Sequence, residues 1–155
     1  SRSHIQTIKQ AYRRSRGLEE VLEVIEPILS DECSSLVKVN VEILKSVATR
    51  LGFACKLHMA SDFATTDKRN ERLIGICVQL GASTYLSGAA ARSYLDVEEF
   101  ESAGIQVLWQ DFVPLAYPQP VPNFVSHLSF IDAACSVGFG GLIPLLEYED
   151  LAKKT

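Results

Sequence analysis

Apolar residues recur at helical spacing over the first third of the chain. One apolar stripe spans residues 4–14 and a second spans residues 18–29. The third and clearest stripe follows a capping Ser34 or Ser35 and stops at Gly52, a residue type that commonly ends helices. The pattern therefore predicts three consecutive helices before residue 53.

The hydrophobic period changes after Gly52 and then alternates between strand-like and helix-like spacing. Short apolar runs with a period of two are separated by longer runs with helical spacing. Such alternation with short links favours parallel strands joined by crossover helices. The sequence therefore predicts an α/β fold, a three-layer Rossmann-like parallel sheet with flanking helices. The predicted strands are residues 53–59, 84–86 and 105–109, and the helices between them are residues 67–80 and a segment from Asp96 to Gly104.

The last third of the chain begins with a proline-rich stretch. Four prolines fall within nine residues, which precludes regular structure and predicts an ordered, extended segment. A final helix is expected from Ser129 to Gly138. No repeat or linker divides the chain, so residues 1–155 are predicted to form a single α/β domain. The prolines are Pro114, Pro118, Pro120 and Pro122.

Composition narrows the classes of protein to which the chain can belong. Of 155 residues, 47% are hydrophobic and 22% charged, an ordinary globular composition. The formal net charge of −4 argues against a broad surface for nucleic acid, and no apolar run reaches the roughly 18 residues of a membrane span. Lone histidines without ligand spacing predict no metal site. Four cysteines without a CxxC pair predict buried free thiols and a reducing, cytoplasmic location, and they are Cys33, Cys55, Cys77 and Cys135.

Residues that could take part in binding or catalysis follow the ends of the predicted strands. In parallel sheets, ligands bind outside the carboxyl ends of the strands. Asp62 follows the first predicted strand, Ser87 and Gly88 follow the second, and Asp111 follows the third. We expect these four residues to face one crevice, with Asp62 and Asp111 as catalytic carboxylates that orient a hydroxyl or an amine.

Basic residues near this crevice predict an anionic or phosphorylated small-molecule ligand. Arg92 can donate a bidentate fork to phosphate, beside backbone N–H groups left uncovered at Gly88. The alternative is a tight turn in which Arg92 pairs with Asp96. Lys68 and Arg72 lie one helical turn apart and can reach the same edge, with plain solvent exposure as the alternative. No P-loop or GxSxG motif is present, and the residues do not identify a cofactor.

The same segments carry a recognisable family pattern. In order along nearly the whole chain, they resemble the core of the WbqC-like family, whose members are associated with O-antigen and related polysaccharide biosynthesis. The motifs are TIKQAY at residues 7–12, ASD at 60–62, TYLSG at 84–88, YLD at 94–96, AGI at 103–105, QDF at 110–112, YPQ at 117–119 and FVSHLSFID at 124–132.

The resemblance implies an activity and a missing segment. Some family members have been given a glycine- or aminoacyl-transferring role, which implies a transferase of glycan or secondary-metabolite biosynthesis acting by acyl, aminoacyl or nucleotide-dependent transfer. The family normally begins with a strand and a HQPNY-like motif, which this sequence lacks. We therefore expect the chain to be the C-terminal, larger part of such a protein.

Two function hypotheses follow. The first is the group-transfer enzyme, and the second is a non-catalytic ligand-binding or scaffolding domain that keeps the fold. If a strand normally precedes Ser1, residues 53–59 lose a neighbour, and the chain is expected to form a homo-oligomer through that edge, bind apolar dye, or be marginally stable.

Overall fold

A computed structural model describes residues 2–30, 35–65 and 69–146 of the chain. These residues form two units. Of the described residues, the helical unit comprises those from 2 to 56 and from 114 to 146, and the sheet unit comprises those from 57 to 113.

Six α-helices and two β-strands are formed by the described residues. In addition, short 3₁₀ turns occur at Ala60–Asp62 and Ala89–Ser93. In chain order, the elements are α1 (Arg2–Ala11), α2 (Leu18–Ser30), α3 (Leu36–Arg50), α4 (Arg69–Gln79), β1 (Thr84–Gly88), α5 (Val97–Ser102), β2 (Gln106–Gln110) and α6 (Phe130–Leu146).

The core of the helical unit lies between α2 and α6. Val21 and Ile25 repeat one helical turn apart on α2 and are fully buried against Ala134 and Cys135 of α6. This spacing gives α2 a single continuous apolar face, while its first turn carries acidic residues that suit the positive end of the helix dipole. Burial of this apolar face is therefore the main source of stability in the unit.

A break in α6 brings the start of α2 close to it. Gly138 has φ 74° and ψ 167°, a backbone conformation that is essentially restricted to glycine, and it separates two helical segments. Arg16 Nη2 donates to the Val137 carbonyl at 2.6 Å, and Glu20 Oε2 accepts from the Phe139 N–H at 3.1 Å. A cation thus meets the carboxyl end of one segment and an anion meets the amino end of the next, as helix dipoles favour.

The sheet unit is built on β1 and β2, which pair in parallel. Thr84 is opposite Gln106 and Gly88 is opposite Gln110, so both strands end at the same edge. Helices α4 and α5 contribute to a core centred on Phe100, whose ring stacks on Tyr85 at 5.1 Å between ring centroids. The buried members of this core are Cys77, Ala91, Leu95, Phe100 and Ile105.

Several predicted elements are confirmed. Residues of all three early helices are helical, and Ser35 caps α3 by accepting from the Lys38 N–H at 3.2 Å. The aspartate at the start of α5 also acts as a cap, since Asp96 Oδ1 accepts from the N–H of Glu98 at 3.1 Å. Gly52, Gly81 and Gly104 follow helices with positive φ, as expected of glycines at helix ends.

The first predicted strand is wrong. Residues 53–59 have no regular secondary structure, and Phe53, Leu57 and Met59 remain 51%, 48% and 38% exposed. Alternation of apolar residues fits a strand, but a strand also needs a neighbour for its backbone hydrogen bonds. Within the described ranges the sheet has two members, β1 and β2. The fold is thus a mixed α/β arrangement with a small parallel sheet, and the three-layer Rossmann-like architecture is not confirmed.

The cysteine prediction holds in part. Cys77 and Cys135 are buried free thiols, as expected, whereas Cys55 is exposed because it lies in the irregular stretch predicted to be a strand. Cys33 lies outside the described residues. Burial raises the pKa of the Cys77 thiol, which keeps it in the neutral form suited to an apolar core.

Candidate functional site

The carboxyl ends of β1 and β2 bring together three segments that carry predicted site residues. Ser87 is opposite Trp109 and Gly88 is opposite Gln110 in the parallel register. Asp111 follows Gln110 directly, and the 3₁₀ turn that contains Arg92 follows Gly88. Parallel pairing therefore places these residues at one edge of the sheet, the position at which α/β proteins commonly bind ligands.

Arg92 lies at the centre of this edge. Its Nη2 is 2.9 Å from Asp111 Oδ2, and its guanidinium carbon lies 5.3 Å from the ring centroid of Trp109. The side chains of Arg92 and Asp111 are 52% and 61% exposed. The predicted alternative partner, Asp96, instead caps α5. Contact with the face of an aromatic ring restricts the orientation of the guanidinium, and half of the Arg92 side chain remains accessible to solvent.

Ser87 and Gly88 play different parts at this edge. Ser87 is only 9% exposed, so its side chain belongs largely to the interior of the sheet unit. Gly88 is exposed and extended, with φ −69° and ψ 151°, and a Cβ there would meet no atom within 4 Å. The backbone conformation therefore does not require glycine at this position. The lack of a side chain at Gly88 leaves its main chain accessible to a ligand. We call Gly88, Arg92, Trp109 and Asp111 the sheet-edge site.

Asp62 and Arg72 are not joined to the sheet-edge site by any contact among the described residues. Asp62 is exposed in the 3₁₀ turn Ala60–Asp62 and does not follow a strand, which removes the reason for expecting it at the same edge. Arg72 is half-buried on α4, and no hydrogen bond or ion pair links it to Arg92 or Asp111 within the described part of the chain. Lys68 lies outside the described residues.

A surface depression between α4 and α5 offers a different chemistry. It is lined by Glu71, Asp96, Glu98 and Glu99, whose carboxylates disfavour a phosphorylated ligand. The sheet-edge site is therefore the better match to the anionic ligand that the sequence predicts.

A second polar constellation lies in the helical unit, centred on Asp132 of α6. Asp132 is only 4% exposed, and its carboxylate accepts three hydrogen bonds from neutral donors. Tyr12 Oη donates to Oδ1 at 2.8 Å, whereas Tyr117 Oη and Gln119 Nε2 donate to Oδ2 at 2.7 and 2.8 Å. We call these four residues the Asp132 network. It joins Tyr12, which follows α1, to the proline-rich segment and α6 at one carboxylate.

Burial and the nearby carboxylate change the titration of the groups around Asp132. Burial, together with the hydrogen bond to Asp132, raises the pKa of Tyr12, and the same causes raise the pKa of Tyr117. Burial, with the charge of Asp132 as a smaller contribution, raises the pKa of Cys135 to about 11. These phenols and this thiol therefore stay protonated at neutral pH, so the two phenols act as hydrogen-bond donors.

The sequence interpretation missed the Asp132 network as a constellation, although Tyr12, Tyr117, Gln119 and Asp132 all lie in motifs of the family pattern. One signal was available. Asp132 is the only Asp, Glu, Lys or Arg between residues 112 and 146. A lone acidic residue at the start of an apolar helix is expensive to bury without hydrogen-bond donors. Aromatic and amide side chains in the preceding segment were the candidate donors.

Within the described ranges, no helix combines the length and apolar character needed to cross a bilayer. The same residues contain no group of three or more histidine, cysteine, aspartate or glutamate side chains placed to hold a metal ion.

A curated protein is similar to most of this chain. The uncharacterized protein Rv1507c of Mycobacterium tuberculosis (strain ATCC 25618 / H37Rv) is 29% identical over 140 residues, which are 89% of this chain and 61% of that protein. The chain thus spans less than two thirds of the length of this relative. No solved structure matches the chain.

The family comparison covers both units. The model of the WbqC-like protein family matches residues 1–141, and this range includes the sheet-edge site and the Asp132 network. The chain belongs to the WbqC-like protein family.

Proposed function

We propose that the sheet-edge site binds a phosphorylated small molecule and that the chain is part of a group-transfer enzyme of glycan or related biosynthesis. The observation that carries the binding proposal is the exposed Arg92–Asp111 pair, beside Trp109, where two parallel strands end. Family membership supports the biosynthetic setting. Acyl or aminoacyl transfer, or transfer from a nucleotide-activated donor, is the reaction class that we propose.

The energetics of the pair favour exchange of Asp111 for a ligand anion. An exposed ion pair contributes about 0–1 kcal/mol, because water screens it and two long side chains must be ordered. A phosphate offers Arg92 two parallel charge-assisted hydrogen bonds, which are roughly twice as strong as neutral ones. Since Trp109 already orients the guanidinium, little further ordering is required when the anion binds.

Asp111 is then released beside the bound anion. A carboxylate in this position can accept a hydrogen bond from a hydroxyl or an amine and orient that group toward the activated atom of the ligand. In this mechanism Arg92 holds the anionic oxygens, the main chain at Gly88 offers N–H groups, and Asp111 orients the acceptor.

A non-catalytic ligand-binding domain is the second candidate. It is favoured by the separation of the two predicted catalytic carboxylates, since Asp111 contacts Arg92 whereas Asp62 lies in a separate exposed turn. The two candidates share the binding step and differ in turnover. For transfer from a nucleotide-activated donor, mass spectrometry of UDP released from UDP-sugars, in the presence of amine and hydroxyl acceptors, distinguishes them. Binding without release would favour the binding domain.

Isothermal titration calorimetry with inorganic pyrophosphate and UDP tests the binding proposal. Arg92→Ala should weaken both ligands by about 10- to 100-fold, the range expected for hydrogen bonds to a charged group. Asp111→Asn should strengthen pyrophosphate binding, because the carboxylate that competes for Arg92 is removed.

The chain contains a matched control for this experiment. Arg50 pairs with Glu23 at 3.1 Å, and its guanidinium carbon lies 5.3 Å from the ring centroid of Phe139. Arg50→Ala therefore removes the same charge, a similar exposed ion pair and a similar ring contact from the helical unit. Equal weakening by Arg50→Ala and Arg92→Ala, or no effect of Arg92→Ala, would overturn the proposal.

A further inference from the structure

The proline-rich segment of the helical unit is held by side chains and not by its backbone. We call residues 114–128 the strap. Among the described residues, no backbone-to-backbone hydrogen bond involves the strap. Four of its residues are prolines, which lack an N–H donor. Most of its side chains are exposed, including Val121, Val125 and Leu128. Segments with few buried contacts and few backbone hydrogen bonds open at low free-energy cost.

Two half-buried residues of the strap belong to the Asp132 network. Tyr117 and Gln119 are half-buried in a largely exposed segment, and both donate to Asp132 Oδ2. Gln119 also closes a loop within the strap, since its Nε2 donates to the Val125 carbonyl at 2.9 Å and its Oε1 accepts from the Val125 N–H at 2.7 Å. The ring of Tyr117 meets that of Phe124 edge-on at 5.3 Å. The strap is thus folded on itself and fastened to α6 at one carboxylate.

We propose that the Asp132 network is a latch and that the strap opens as a unit, while the α2–α6 core stays folded, when Tyr117 and Gln119 leave Asp132. The two oxygens of the carboxylate bind different parts of the helical unit. Oδ1 is bonded to Tyr12, the residue that follows α1, whereas among the described residues Oδ2 is bonded only to the strap residues Tyr117 and Gln119. Release of the strap therefore leaves the hydrogen bond between Tyr12 and α6 intact.

Solvation of Asp132 after the strap leaves keeps the opening local and reversible. In the closed strap the buried carboxylate has no cationic partner among the described residues, and three neutral donors offset its charge. When the strap departs, water replaces two of these donors, so the charge is not left unsatisfied. Opening thus exchanges protein hydrogen bonds for solvent hydrogen bonds, and the helices α2 and α6 keep their apolar contacts.

Native-state hydrogen exchange of the full chain tests the latch. The reporter is the Val125 amide, which is bonded within the strap, and the reference is the Ile25 amide in the fully buried part of α2. In the unmodified chain, Val125 should exchange faster than Ile25 and with little dependence on low denaturant concentrations. Tyr117→Phe should speed exchange at Val125 by about 10- to 100-fold, the range expected for loss of a hydrogen bond to a charged acceptor.

Tyr12→Phe is the matched control, because it removes one phenol hydroxyl from the same carboxylate on its other oxygen. It should leave Val125 exchange within about twofold of the unmodified chain. Chymotrypsin cleavage after Phe124 gives an independent readout and should accelerate only in Tyr117→Phe. The latch is refuted if both variants change Val125 equally, if Tyr117→Phe has no effect, or if Val125 exchanges only together with Ile25.

Discussion

Gly17 is predicted to be the position in the helical unit least able to accept a side chain. A Cβ placed there would lie 2.1 Å from the Ala134 carbonyl oxygen and 2.9 Å from the Cα of Gly138. Both obstacles are main-chain atoms, so no rotamer change can relieve the clash. Gly17→Ala therefore requires the start of α2 to move away from α6 by about 1 Å or more, given ordinary carbon-to-oxygen contact distances.

The cost of this movement can be bounded from the contacts involved. Overpacking a close-packed core costs about 1–3 kcal/mol. The movement also weakens the hydrogen bond from the Gly17 N–H to the Cys135 carbonyl, at 2.9 Å, which contributes about 1 kcal/mol. Because Gly17 precedes α2, alanine gains nothing from its helix propensity. We expect Gly17→Ala to lower the free energy of unfolding by about 2–4 kcal/mol, a large share of the 5–15 kcal/mol typical of domains.

Urea denaturation, monitored by circular dichroism, measures this loss of stability, with Gly88→Ala as the control. A Cβ at Gly88 meets no atom within 4 Å and its φ of −69° suits alanine. The control should therefore be neutral or stabilising by about 0.4–1 kcal/mol through the unfolded state. If Gly17→Ala unfolds within about 0.5 kcal/mol of the unmodified chain, or if Gly88→Ala is equally destabilising, the packing argument at Gly17 is wrong.

Two further predictions concern pH and helix capping. The pKa of Cys135 is raised from 9.0 to about 11 in the folded chain, so the stability contributed by its protonated form is complete below pH 9 and is lost as pH rises toward 11. The free energy of unfolding should fall as pH rises from 9 to 11, and it should fall less steeply in Cys135→Ala. Equal pH dependence in the two proteins would contradict the assignment of this effect to Cys135. Asp96→Ala should cost about 0.5–2 kcal/mol by removing the α5 cap, whereas Asp96→Asn, which keeps an accepting oxygen, should cost less; equal losses in thermal unfolding would argue against capping.

The local elements were largely determined by the sequence itself. Helices α1, α2 and α3 follow from apolar residues at helical spacing, and Asp96 marks the start of α5, because hydrophobic period and capping depend on neighbours a few residues away. The strands β1 and β2 and their common edge were also predicted from the strand–helix–strand alternation. Residues 53–59 show the limit of this reasoning. Their alternation is that of a strand, but strand formation depends on a partner that a local pattern does not contain.

Contacts between distant residues were decided only by the tertiary structure. Arg92 pairs with Asp111 and not with the nearer Asp96, because the parallel register brings the end of β2 beside the turn that follows β1. Tyr12 and Asp132 meet across 120 positions of sequence because α1 and α6 share one core. A buried carboxylate must find donors wherever the packed chain provides them. The sequence alone thus determined which residues had the chemistry for a site, and folding determined which of them became neighbours.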